Sequence, residues 1–418
     1  MPRYSPPLAQ PLAVRALNRA GGALRALGVP LVRLDAAGLL ARAAARTGLD
    51  DFGDERFRAP LDRLLDGLER EARLTVLGRL IAQRDLERLL ENRLRVTRVL
   101  REHPEIAGEE VRPPLFILGL PRTGTTILHE LLAEDPANRV PRSWEAHRPY
   151  PPPERTTYET DSRIAEVEAH FAQVDRILPG FKRMHAMGAT LPQECVALTA
   201  HEFATMIFHT THDVPSYQDW LEATDLRWVY ASHRRWLQYL QWRCPGERWV
   251  LKSPAHLWAI DDLLAVYPDA CFVQTHRDPL KVVASLVSLV TLLRSMASDR
   301  IDPQALAADW TRRLATGLGR GLAARTRGAI PPERVVDVHL GDFVGREVEV
   351  IRGIYGHFGW TLSPEAEARM RRYLATHPRD RHGAHTYRLA DSGLDPATER
   401  RRFADYQEYF GIAPEDGA

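Results

Sequence analysis

The chain is poor in several features that would narrow its setting. Three cysteines in 418 residues, Cys195, Cys244 and Cys271, are too few and too scattered for a disulfide framework or a zinc cluster. Acidic and basic residues nearly cancel, 55 against 56, so no global field recruits nucleic acid. The longest apolar stretch, the twelve residues from Val282 to Leu293, stops at Arg294. It falls short of the ~20 residues needed to cross a bilayer. The first thirty residues carry arginines throughout and no uninterrupted apolar run, so no secretory leader is expected. Lysine is scarce too. Only Lys182, Lys252 and Lys281 occur, and the rest of the 56 basic residues are arginine, so a lysine at a motif position stands out. What remains, at 44% hydrophobic and 27% charged residues, is the composition of a globular protein with a sizeable core. We expect it in the cytoplasm.

Residues 1–110 read as a mostly helical extension. Leucines recur at helical spacing through Leu74, Leu77, Leu86, Leu89, Leu90 and Leu94, with Arg and Glu between them. Its first fifty residues hold seven arginines and two aspartates. A solvated helix face is the expectation there, with weak membrane-surface contact through 1–50 as the rival. After Pro113 the pattern becomes strand, loop, helix. Leu115 to Gly119 precedes Leu-Pro-Arg-Thr-Gly-Thr-Thr and the stretch from Ile127; Arg248 to Leu251 precedes Lys252-Ser-Pro; Cys271 to Thr275 precedes His-Arg-Asp-Pro279. Val335 to Leu340 reads as a fourth strand. Strands alternating with helices imply a parallel sheet between helical layers, an α/β/α domain over 111–418. A mostly helical insertion at 145–245, rich in aromatics such as Trp144, Phe203, Tyr217 and Trp236, is placed where open sheets build substrate pockets. At helical spacing those aromatics are first expected in the core.

The first turn carries chemistry. Gly119 and Gly124 have the separation of a Walker phosphate loop, but Thr125 stands where that motif needs lysine. No strand ends in an aspartate placed to hold magnesium; the next two end in Lys252 and in His276-Arg277. The loop therefore suits a phosphate-like group handled without metal. Arg122, Lys252 and Arg277 all lie just past the carboxyl ends of βα units, where open sheets bind ligands. Three cations on one edge predict a ligand with more than one anionic group. Asp278 suits an N-cap and Pro279 the first helical position, which puts Ser285 on the second turn of the following helix.

Pro121-Arg-Thr-Gly-Thr-Thr126 resembles the 5′-phosphosulfate loop of PAPS-dependent sulfotransferases, and Arg277 with Ser285 resembles their 3′-phosphate motif. Lys252 in Leu-Lys-Ser-Pro is similar to a strand-end lysine of the tyrosylprotein-type branch. The resemblance runs from 113 to about 410 and is closest to a bacterial branch with a helical N-terminal extension. It implies a P-loop-like fold, PAPS as donor, 3′,5′-ADP as product and no metal. Arg122, Thr123, Gly124, Thr125, Thr126, Arg277 and Ser285 would then hold the donor. Arg122 replaces a lysine of the cytosolic branch, and the Arg-Lys-Gly loop of that branch is echoed only weakly by Arg381-His382-Gly383.

Sulfuryl transfer needs cations on the bridging oxygen, a part for Arg122 and Lys252, and a base for the acceptor proton. Glu145, in Ser143-Trp-Glu-Ala-His, is the first candidate because a glutamate lies at nearly that distance from the loop in the tyrosylprotein-type branch. Glu194, His185 and His147 are its rivals. The expected acceptor is a small molecule carrying a hydroxyl on a hydrophobic or amphipathic body: a lipid, a quinone derivative or a phenol. A P-loop kinase and a non-catalytic nucleotide-binding module are the competing readings.

Overall fold

A computed structural model describes residues 16, 18–23, 31–177, 187–377 and 393–415. Five strands, β1 (Leu115–Leu118), β2 (Asn138–Arg139), β3 (Arg248–Lys252), β4 (Cys271–His276) and β5 (Val335–His339), form one sheet in the order β2-β3-β1-β4-β5. Every neighbouring pair is parallel. The four longer strands are those read from the sequence. The two-residue β2, paired to β3 through Asn138 and Arg248, is too short to leave a periodic signal.

Both faces of the sheet are covered, which is why β1 is apolar at every position. Leu115 and Ile117 face one hydrophobic cluster together with Val250 and Val273. Phe116 and Leu118 face the other, with Leu251 and Phe272. That second cluster continues without a break into the N-terminal helices α1 (Ala36–Thr47), α2 (Arg58–Arg70) and α3 (Val76–Glu102). Leu86, Leu89, Leu90 and Leu94 of α3 are all buried in it, as their spacing predicts. Most insertion aromatics join the same core: Phe203 and Tyr217 are fully enclosed. The change of pattern near residue 110 is therefore a change of secondary structure, and the core runs across it.

Thr75 caps α3, its hydroxyl accepting from the Gly78 amide at 3.0 Å. Its own amide donates to the Ala297 carbonyl at 2.9 Å. A Cβ on Gly78 would lie 2.0 Å from that carbonyl oxygen. Backbone cannot step aside as a flexible side chain can. Overpacking of this kind costs about 1–3 kcal/mol, partly offset by up to about 1 kcal/mol of helix propensity. We expect Gly78→Ala to lower the denaturation free energy by about 1–2 kcal/mol; an unchanged urea midpoint would show that the extension is not pinned here.

Four more helices frame the site: α4 (Thr125–Ala133) after β1, α5 (Ser143–His147) in the insertion, α6 (Arg227–Gln241) before β3, and α7 (Pro279–Ser295) after β4. A last helix, α8 (Ala404–Phe410), packs over the end of β4. There the Tyr406 hydroxyl lies 2.6 Å from His276 Nδ1, and Phe410 stacks on the His276 ring.

Candidate functional site

The loop between β1 and α4 is built by three left-handed residues. Gly119 (φ 140°), Arg122 (φ 69°) and Gly124 (φ 94°) reverse the chain so that it enters α4 directly. At Gly119 a Cβ would lie 2.2 Å from the Thr275 hydroxyl, so only glycine fits. Thr123 is buried and its hydroxyl is committed: it donates to the Leu120 carbonyl at 2.7 Å and lies 2.6 Å from Thr275 Oγ1 at the end of β4. Thr123 thus ties the loop to the sheet. Gly124 caps α4 without a side-chain acceptor, which leaves the first amides of that helix to the loop's concave side. Thr125 is buried and Thr126 half-buried at the same helix start. These features make a preformed cradle for an oxyanion.

The cations stand on either side of this cradle. Strand order puts β3 and β4 next to β1, so Lys252 ends one neighbour and Arg277 follows the other. Arg277 reaches back to the loop, where its Nη1 donates to the Arg122 carbonyl at 3.2 Å. Asp278 caps α7 as its position predicts, accepting from Leu280 N at 3.1 Å, with Pro279 in the first turn. Ser285 lies in the buried second turn of α7. Lys252, 3% exposed, donates to Glu194 at 2.5 Å. Beside it, His129 is pushed down to about 3 by burial and by the Lys252 charge, so the ring is neutral and its Nε2 donates to the Val250 carbonyl at 3.1 Å.

Three of the four candidates for the acceptor proton lie in very different places. Glu145 is fully buried in α5. Arg139 holds both its oxygens, the Tyr158 hydroxyl donates to it at 2.9 Å, and the Arg142 amide donates at 2.8 Å. Burial acts to lower the Arg139 pKa, but Glu145 outweighs it and the guanidinium is held above its ordinary value. The Glu145 carboxylate thus accepts four hydrogen bonds inside the protein. Glu194 instead touches Lys252 at the sheet edge and keeps 20% of its side chain exposed. His147 packs edge-on against Phe171, and burial and then Arg88 push it well below its ordinary value. His185 lies outside the described residues, as do Arg381, His382, Gly383 and the first fifteen residues of the basic N-terminal segment.

The residues that follow the Glu194–Lys252 pair, Cys195 and Ser253, line a cavity whose wall mixes aliphatic residues such as Val196 and Leu221 with Tyr230, Trp258, Gln218 and Asp262. It lies between the insertion and the segment after β3. Phe203 and Tyr217 lie in the core, as their helical spacing leads one to expect, while Tyr230 and Trp258 reach the cavity.

A model of the sulfotransferase family matches residues 113–364, which takes in the loop, Glu194, Lys252, Arg277 and Ser285. The chain belongs to the sulfotransferase family. Its extension and insertion are shared with solved members: the sulfotransferase STF1 from Mycobacterium tuberculosis H37Rv is 36% identical with a TM-score of 0.79, covering 89% of this chain and 98% of that one. The sulfotransferase STF9 from Mycobacterium avium is 32% identical with a TM-score of 0.85, covering 92% and 98%. A curated relative in Mycobacterium bovis, the omega-hydroxy-beta-dihydromenaquinone-9 sulfotransferase Stf3, is 27% identical over 285 residues, 63% of this sulfotransferase and 67% of the relative. The sulfotransferase therefore has a bacterial relationship, a P-loop-like α/β/α fold and transferase activity. Among its described residues no helix is long and apolar enough to cross a membrane.

Two features of the site leave no mark on local sequence. The Glu194–Lys252 contact joins residues 58 apart, and Glu415 sits on Arg277 across 138 residues. An isolated glutamate gives no periodic or motif signal.

Proposed function

We propose that this sulfotransferase moves the sulfuryl group of PAPS to a hydroxyl on a hydrophobic or amphipathic small molecule. The observation that carries the reading is the Lys252–Glu194 pair, one strand from the oxyanion cradle and one residue from an apolar cavity. The loop amides, Arg122 and Thr126 hold the phosphosulfate, and Arg277 with Ser285 holds the 3′-phosphate. In the transfer the acceptor oxygen bonds to sulfur, and the bond from sulfur to the phosphate oxygen breaks. Glu194 takes the acceptor proton, and 3′,5′-ADP leaves with the negative charge. Lys252 exchanges Glu194 for the bridging oxygen as that charge grows, and the carboxylate lone pair is thereby released for the proton. A compact ammonium is suited to this swap because it carries its charge at a single point. We assign Lys252 and Arg122 to transition-state charge and Glu194, in place of Glu145, to the proton. No metal enters the reading.

Support for the acceptor class comes from the mainly apolar surface of the cavity and from the relative named for a hydroxylated menaquinone. The reading also sets the protein in the cytoplasm with its cysteines reduced, two of them buried. Two measurements test it. A ligand at a hundred times its dissociation constant stabilises by about 2.7 kcal/mol, so 3′,5′-ADP with EDTA should raise the melting temperature clearly. Stabilisation only by ATP with Mg²⁺ would instead indicate a kinase. Radiolabelled sulfate should pass from PAPS to lipid alcohols or phenols, and failure across a broad panel despite 3′,5′-ADP binding would leave a non-catalytic nucleotide-binding module.

A further inference from the structure

The Arg277 guanidinium already has an anion on it. Its Nε donates to Glu415 Oε1 at 2.9 Å and its Nη2 to Oε2 at 2.8 Å, a two-pronged grip of the kind arginine makes with phosphate. The third nitrogen, Nη1, stays on the Arg122 carbonyl. The segment that brings Glu415 there is itself anchored. The Glu415 amide donates to Asp278 Oδ2 at 2.8 Å, and Arg400 reaches the same oxygen at 3.2 Å. Upstream, α8 is held on His276 by Tyr406 and Phe410. Asp278 thus serves two elements at once, the start of α7 and the C-terminal segment.

We propose that Glu415 is an internal ligand of the donor site, a carboxylate that occupies the phosphate-binding edge of Arg277 and is exchanged for the nucleotide's 3′-phosphate. The inference rests on the reading of Arg277 as a donor contact. Two anions cannot share the Nε and Nη2 protons, so nucleotide binding must break the Glu415 pair. The pair also has a positioning role. By fixing the guanidinium plane, it keeps Nη1 on Arg122 and so maintains the loop in its left-handed form before the donor arrives. The exchange keeps one anion on Arg277 throughout, so the loop stays formed as Glu415 leaves.

Equilibrium binding and amide exchange on the full chain test this. Glu415→Gln removes the competing charge. Half-exposed ion pairs are worth about 0.2–1 kcal/mol, so the Kd for 3′,5′-ADP should fall roughly 1.4- to 5-fold. An unchanged or weaker Kd overturns the proposal. Deuterium exchange gives a second readout. Saturation with 3′,5′-ADP should speed exchange in the peptide covering 411–415 while slowing it in 119–126, and added protection at 411–415 would equally overturn it. Arg277→Ala separates the two levels. Losing charged hydrogen bonds should weaken nucleotide binding about ten- to a hundredfold. If it does so and Glu415→Gln has no effect, only the internal-ligand proposal fails. If Arg277→Ala leaves affinity unchanged, the donor-site reading fails with it.

Discussion

Glu194→Gln is expected to lower turnover about 10²–10⁴-fold, the usual contribution of a positioned base, with little change in 3′,5′-ADP affinity. Glutamine has the shape of glutamate and still offers Lys252 a carbonyl oxygen at the position now 2.5 Å from its Nζ. Lysine placement and the apolar cavity beyond Cys195 and Ser253 therefore survive the change. What is lost is the ability to accept a proton. Single-turnover measurement at saturating donor isolates that loss from binding. A Glu194→Gln protein with near-normal turnover would remove this residue from the proton's path and return the question to the other candidates.

Glu145→Gln is expected to act on stability instead. Arg139 and Glu145 are both buried, and the guanidinium also lies over the Tyr158 and Trp249 rings at 4.8 Å. Neutralising the carboxylate leaves a buried positive charge without its counter-ion, which typically costs about 3–5 kcal/mol. The phenol of Tyr158, held well above its ordinary pKa chiefly by burial and against the pull of Arg139, cannot replace it as an anion near neutral pH. Urea denaturation should show the loss directly, while turnover per folded molecule falls far less than in Glu194→Gln. A Glu145→Gln protein as stable as the parent but inactive would restore Glu145 as the base.

The contrast between these two glutamates shows how far sequence reasoning reaches. The glycine-bearing phosphate loop, the cap at Asp278 and the leucine register of α3 were legible because each is local: a turn demands glycine, a helix start demands an acceptor, a buried face repeats every third or fourth residue. Family resemblance then supplied the expected roles of Arg122 and Arg277. Glu145 was singled out by its distance along the chain from the loop. Distance along the chain says nothing about which way a carboxylate faces. Arg139 and Tyr158 had no motif of their own, so nothing in the string marked Glu145 as already engaged. The aromatic insertion was more legible: helical spacing placed Phe203 and Tyr217 in the core, and there they lie.

From the order of amino acids alone came a parallel sheet, a phosphate-type turn and a set of cations at its edge, since backbone geometry and short-range hydrogen bonding dictate all three. Which charges meet was decided only by the folded chain. Glu194 meets Lys252, Glu145 meets Arg139 and Glu415 meets Arg277 because packing sets distances between residues far apart in sequence. At those distances Coulomb attraction and desolvation, neither of which leaves a periodic trace, determine which carboxylate is held fully buried by arginine and which keeps part of its surface exposed.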